Sequence, residues 1–172
     1  GHRYNPDTDI TVTAGATQAL LTAILAAVHP GDEVIILEPA YDSYVPAIEV
    51  NGGTPVFVRL QYPDYSIDWQ AVARAITPKT RMLIINTPNN PTASVLSADD
   101  MRALESLLHD TNIIVISDEV YEHLIYDGAR HESVSRYPGL AERSFVVSSF
   151  GKTYSVTGWK MGYVLAPKEL MA

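Results

Sequence analysis

Cysteine is absent from all 172 residues, which removes a disulfide framework, a thiolate metal site and a cysteine nucleophile from consideration. A reducing cytoplasm is the expected home. Basic residues are scarce as well: 12 Lys and Arg stand against 20 Asp and Glu, a formal net charge of −8. Nucleic acid and anionic membranes reward clustered Lys and Arg, so neither is expected as a partner. No apolar run approaches the roughly 20 residues that span a bilayer, and no basic-then-apolar signal segment opens the chain. Repeats, low-complexity tracts and an interdomain linker are missing too. A nucleotide-binding phosphate loop is excluded despite the letters GKT at 151–153, because its second glycine would fall at Val146, inside the apolar run SFVVSS.

What is present is a chain that is 47% hydrophobic, enough for one domain with a sizeable core. Short runs rich in Val, Ile and Phe alternate with helix-patterned segments. Strands are expected at ITVT (10–13), EVIILE (33–38), PVFVRL (55–60), RMLIIN (81–86), NIIVISD (112–118), SFVVSS (144–149) and GYVLA (162–166). Helices fit 17–28, 43–51, 68–76 and 97–110, the last with Ser97 as N-cap and Asp100 in its first turn. HPGDE, NGGTP and RYPG read as turns. Strands apolar on both faces and joined by helices imply an α/β three-layer sandwich around a mostly parallel seven-stranded sheet. The seventh strand follows the sixth without a long crossover, so an antiparallel placement is expected for it. The chain begins Gly1-His2 and ends Leu170-Met171-Ala172 as a helix starts, and it reads as a piece of a longer protein.

Five polar clusters share one topological address. AGATQ (14–18), EPAYDSY (38–44), NTPNNPTAS (86–94), SDEVY (117–121) and SSFGK (148–152) each lie just past the carboxyl end of a strand, where open parallel sheets gather ligands. Taken singly, these are a helix start, a turn or a strand end. Together they describe a pocket with helix N-terminal amides for an anion, a carboxylate, an amide, phenols, a hydroxyl and two lysines. Pyridoxal phosphate fits such a pocket: a lysine amine condenses with its aldehyde, an aspartate keeps its ring nitrogen protonated, and a helix N-terminus takes its phosphate.

The set AGATQAL, EPAYDSY, NTPNNPT, SDEVYEH and SSFGKTYSVTGWKMGY resembles the large domain of fold-type I pyridoxal-phosphate aminotransferases, above all the branch with methionine, kynurenine and glutamine transaminases. The resemblance covers essentially the whole chain and implies a seven-stranded sheet with one antiparallel strand. Carried over residue by residue, it makes Lys152 the Schiff-base lysine and general base, and Asp118 the partner of the pyridine nitrogen. Tyr121 and Asn90 match the pair that hydrogen-bonds the cofactor's phenolic oxygen. Tyr41 matches the aromatic stacked on the ring. Ala16, Thr17 and Gln18, with Ser149 and Lys160, match the phosphate cup.

The resemblance also implies what lies elsewhere. Residues 1–172 would be the cofactor-binding large domain. Family members take the substrate carboxylate on an arginine of a small C-terminal domain and borrow a tyrosine from a second subunit. Both would fall outside this chain, so a homodimeric parent exchanging amino groups between an amino acid and a 2-oxo acid is expected, with a nearly inactive fragment that could expose an apolar patch. A carbon–sulfur β-lyase and a ligand-sensing domain of a transcriptional regulator are the alternatives. Many relatives carry NPTG where this chain has Asn90-Pro91-Thr92-Ala93; alanine resists positive φ, so a slightly different turn is expected. Glu119, Glu122 and His123 offer no second histidine at metal-binding spacing, and they read as surface or supporting groups rather than a metal site.

Overall fold

The structure, a computed structural model, describes residues 1–171. Seven strands form one sheet: β1 (Ile10–Thr13), β2 (Glu33–Glu38), β3 (Thr54–Arg59), β4 (Thr80–Asn86), β5 (Ile114–Asp118), β6 (Ser144–Ser149) and β7 (Gly162–Leu165). Their order is β1-β7-β6-β5-β4-β2-β3. β2 through β6 run parallel, and β7 lies antiparallel between β6 and β1, as the missing crossover before it implied. The helices are α1 (Ala16–Ala27), α2 (Tyr44–Glu49), α3 (Trp69–Ala75), α4 (Ala98–Leu108), α5 (Pro138–Ala141), α6 (Phe150–Thr153) and α7 (Lys168–Met171). Among the described residues, no helix is long and apolar enough to cross a membrane.

The expected strands are all present, three with their expected ends and four with one or both ends moved by one or two residues. RYPG is the exception among the expected turns. A single 3-10 turn, Val134–Arg136, is followed there by α5, whose first residue is Pro138; proline's fixed φ suits a helix start and its missing N–H costs nothing there. At α4, Ser97 and Asp100 form a complete capping box, each side chain accepting from the other's backbone.

Alternation along the strands builds two cores. Val34 and Ile36, Met82 and Ile84, Ile114 and Ile116, and Phe145 and Val147 point to the face covered by α1 and α2. Ile35 and Leu37, Leu83 and Ile85, Val115, and Val146 point to the face covered by α3 and α4. The result is the three-layer α/β sandwich. The same parity continues past the apolar residues: Asn86, Asp118 and Ser149 terminate β4, β5 and β6 on the α1 side. Three polar side chains therefore reach one corner of the fold because they end apolar strands of the same phase.

Candidate active site

At that corner lies a cavity of about 270 Å³. Of the ten residues singled out in the sequence, nine line it: Ala16, Thr17, Tyr41, Asn90, Asp118, Tyr121, Ser149, Lys152 and Lys160. Gln18 does not. It is exposed on α1, and its side-chain oxygen accepts from the Ala14 N–H at 2.6 Å, so it shapes the loop before the helix. The reason is helical rotation, which turns the third residue of α1 away from the cavity that the first two face.

The anion side of the cavity is built by close approach. Gly15 precedes α1 with φ 85°, and no side chain caps the helix, so its first amides stay open to a ligand. Gly162 of β7 pairs with Thr13 and with Ser149. A Cβ there would stand 2.5 Å from the Ala16 nitrogen, so glycine is what lets β7 lie against the mouth of α1. Lys160, two residues earlier, sits in the left-handed region at φ 54°, which costs a non-glycine residue about 1 kcal/mol or more. That strain accompanies its placement beside Gly15, where its Cδ would be 3.9 Å from an added Cβ.

Lys152 rides on α6, a single turn capped by Ser149, whose hydroxyl accepts from the Gly151 N–H at 3.1 Å. Ser149 thus both lines the cavity and anchors the turn that carries the lysine. The Lys152 ammonium lies 5.6 Å from the Tyr121 ring centre, within cation–π range. Thr17 and Tyr41 also line the cavity, their hydroxyls 3.3 Å apart.

Asp118 is 3% exposed, and burial pushes its carboxyl up to about 6, opposed by hydrogen bonds from Tyr44 and the Val120 N–H. The Tyr44 hydroxyl donates to Oδ2 at 2.7 Å, and the Val120 N–H reaches Oδ1 at 3.3 Å. Asn86 adds a brace: its amide donates to the Asp118 carbonyl at 2.9 Å, and its side-chain oxygen accepts from the Asn90 N–H at 2.6 Å. Neither Tyr44 nor Asn86 was singled out as a site residue in the sequence. Both were inside quoted motifs, and strand parity is the signal that could have found Asn86.

Glu119 departs from the surface half of its expectation and keeps the supporting half. It is 2% exposed rather than on the surface, because it follows Asp118 and so turns to the opposite face of the sheet. There it accepts from the Ser117 hydroxyl at 2.7 Å and the Val134 N–H at 3.2 Å, and pairs with His131 at 2.7 Å. Glu122 joins this group within 4.8 Å. His131, twelve residues on, takes the place that His123 held in the sequence reading. Glu119 is thus engaged by three protein partners: the Ser117 hydroxyl, the Val134 N–H and the His131 ring.

The turn at Ala93 is the second departure. Ala93 adopts φ 61° despite its side chain, and its N–H donates to the Asn89 carbonyl at 2.8 Å. The left-handed turn is kept with alanine in it. The bond before Pro91 is cis.

An uncapped helix N-terminus, a buried carboxylate and a lysine amine around one small cavity define a class: an α/β domain with a cavity suited to an anionic ligand beside a lysine. The family is narrower. The chain belongs to the aminotransferase class I and II family, whose model matches residues 1–172. It is 50% identical over 172 residues to a methionine aminotransferase of Escherichia coli, covering 100% of this chain and 45% of that one. It is 41% identical over 182 residues to kynurenine–oxoglutarate transaminase 1 of Rattus norvegicus, covering 99% of this chain and 43% of that one. The crystal structure of the Escherichia coli methionine aminotransferase superposes with a TM-score of 0.97 at 50% identity over 99% of this chain and 45% of that one. The chain thus spans about half the length of the curated relatives it matches, 45% and 43% in these two cases.

Proposed function

We propose that residues 1–172 are the large domain of a longer pyridoxal-phosphate-dependent aminotransferase that exchanges an amino group between an amino acid and a 2-oxo acid. The observation that carries this reading is the convergence of Lys152, Asp118 and the open end of α1 on one cavity. The residues fit the cofactor: the glycine-lined mouth of α1 leaves amides for a phosphate dianion, and Asp118 offers a buried carboxylate for a cationic ring nitrogen. When bound, pyridoxal phosphate supplies a carbonyl that condenses with amines and a ring that accepts electrons.

The chain's own residues divide the work. Lys152 would be the amine that anchors the cofactor, and its neutral Nζ, once the substrate amine has displaced it, would be the base placed to take the substrate's Cα proton and to deliver it to the former aldehyde carbon of the cofactor. Asp118 holds the ring-nitrogen proton; ion pairing with that cation favours its charged form, against the burial that raises its pKa. Tyr121 and Asn90 present a phenol and an amide for the phenolic oxygen, and Tyr41 offers a ring face. Lys160, Ser149, Thr17 and the amides of α1 hold the phosphate.

Methionine, glutamine or an aromatic amino acid is the proposed donor; the names of the relatives above support methionine and the aromatic kynurenine, and the two tyrosines on the wall suit an aromatic or apolar side chain. Those names favour transamination over β-elimination or regulation. The full-length protein is proposed to be a cytoplasmic homodimer. Exposed Phe150, Tyr154, Trp159 and Met161 near the cavity support a covering partner.

The test is a visible absorption titration of the full-length protein with pyridoxal phosphate, followed by borohydride fixation and peptide mapping, then a panel of amino donors with a 2-oxo acid acceptor. A saturable band fixed on Lys152, with donor turnover that requires the acceptor, is expected. Random lysine labelling would overturn the cofactor reading; acceptor-independent release of pyruvate and ammonia would overturn transamination.

A further inference from the structure

The EPAYDSY segment brings two tyrosines to the site, and only one of them, Tyr41, lines the cavity. Tyr44 stands behind, 2% exposed, with its ring edge-on to that of Tyr41 at 5.6 Å and 83°. Its hydroxyl has one partner, Oδ2 of Asp118 at 2.7 Å. Among the described residues, no other side chain donates to that carboxylate, whose second oxygen receives only the long 3.3 Å contact from Val120.

From this we infer that Tyr44 is a positioning residue: it pins one oxygen of Asp118 and so aims the other at the cavity, where the ring nitrogen of pyridoxal phosphate would lie. The inference rests on the cofactor reading above. A carboxylate free to rotate about its side-chain torsion would share its charge among several orientations, and a single buried donor removes that freedom. The phenol cannot serve the ligand directly, because it does not reach the cavity. It is suited to the task because its own proton is held fast: burial, and then the charge of Asp118, raise the Tyr44 pKa well above the usual phenol range. At working pH it is always a donor. The same bond opposes the burial that raises Asp118, so one contact sets both the direction and the charge of the carboxylate.

Tyr44→Phe in the full-length protein tests this, since it keeps the buried ring and deletes only the hydroxyl. Two readouts are needed. The first is a carbon-13 NMR titration of the Asp118 carboxyl without ligand, where an upward shift of about one pH unit is expected from the loss of a charged hydrogen bond. The second is the dissociation constant for pyridoxal phosphate, expected to rise about tenfold, and to rise no further when Tyr44→Phe is added to Asp118→Asn. An unchanged titration and affinity in Tyr44→Phe would overturn the role. An equal loss of affinity in both backgrounds would also overturn it, because it would show that Tyr44 acts by packing alone. If the unsubstituted protein binds no pyridoxal phosphate, the cofactor reading fails separately, while the carboxyl titration still decides whether Tyr44 governs Asp118.

Discussion

Gly162 and Ala16 meet so closely that a Cβ on the glycine would stand 2.5 Å from the alanine's amide nitrogen and 2.5 Å from the Gly15 carbonyl carbon. Both neighbours are backbone, so neither can swing aside. Gly162→Ala must therefore push β7 from the start of α1, at a cost of about 2–3 kcal/mol in stability. The displaced amides are the ones assigned to phosphate. The expected outcome is a lower unfolding midpoint in urea together with at least a tenfold weaker affinity for pyridoxal phosphate. Wild-type affinity in a folded variant would mean that the α1 amides do not hold the anion.

Lys160 and Lys152 separate by ligand. Lys160→Met is expected to weaken pyridoxal phosphate about tenfold, the value of one charge-assisted hydrogen bond, and to leave unphosphorylated pyridoxal nearly unaffected. Borohydride should still fix either compound to Lys152. Equal losses for both compounds, read by absorbance titration, would show that Lys160 does not contact the phosphate.

Asp118 carries a cost that the ligand-free fold bears. Its pKa is about 6 in the fold against 3.8 in the unfolded chain. Between those values the folded state binds more protons than the unfolded one, so the Asp118 contribution to stability falls as pH rises from about 4 to 6, by on the order of 3 kcal/mol, and is level above that. Asp118→Asn should make ligand-free protein about 1–2 kcal/mol more stable at pH 7.5 and flatten this slope, while abolishing high-affinity cofactor uptake. Urea unfolding at pH 4.5 and 7.5 measures it. A variant less stable than wild type at pH 7.5 would show that the ionised carboxylate is a net stabiliser.

Ala93 offers the opposite sign to the usual loop glycine. Because its φ of 61° strains an L-residue by about 1–2 kcal/mol, Ala93→Gly should recover that strain and lose about 0.4–1 kcal/mol to the freer unfolded chain. The net expectation is a gain of about 0.5–1 kcal/mol, read as a higher urea midpoint. A loss would mean that the alanine methyl makes a contact worth more than the strain.

Local pattern was enough for the sheet and for much of the site. The central runs of β2, β4, β5 and β6 are apolar over several consecutive positions because helices cover both faces there, and a continuous run announces itself without any partner being known. The loops after β1, β2, β4, β5 and β6 could be assigned to one edge because parallel strands put all their carboxyl ends together. The signals that stayed hidden depend on phase and on distance along the chain. Gln18 sits beside Thr17 in sequence, yet helical rotation turns it outward. Glu119 sits beside Asp118, yet strand alternation sends it to the opposite face, where His131 rather than the nearby His123 meets it.

Residue order alone determined the α/β class, the strand ends that carry Asn86, Asp118 and Ser149, and the absence of a nucleotide loop around Lys152, because each follows from short-range periodicity and spacing. Tertiary packing decided that Tyr44 reaches Asp118 across 74 residues and that Gly162 admits the start of α1, because both depend on which elements become neighbours once the sheet has formed.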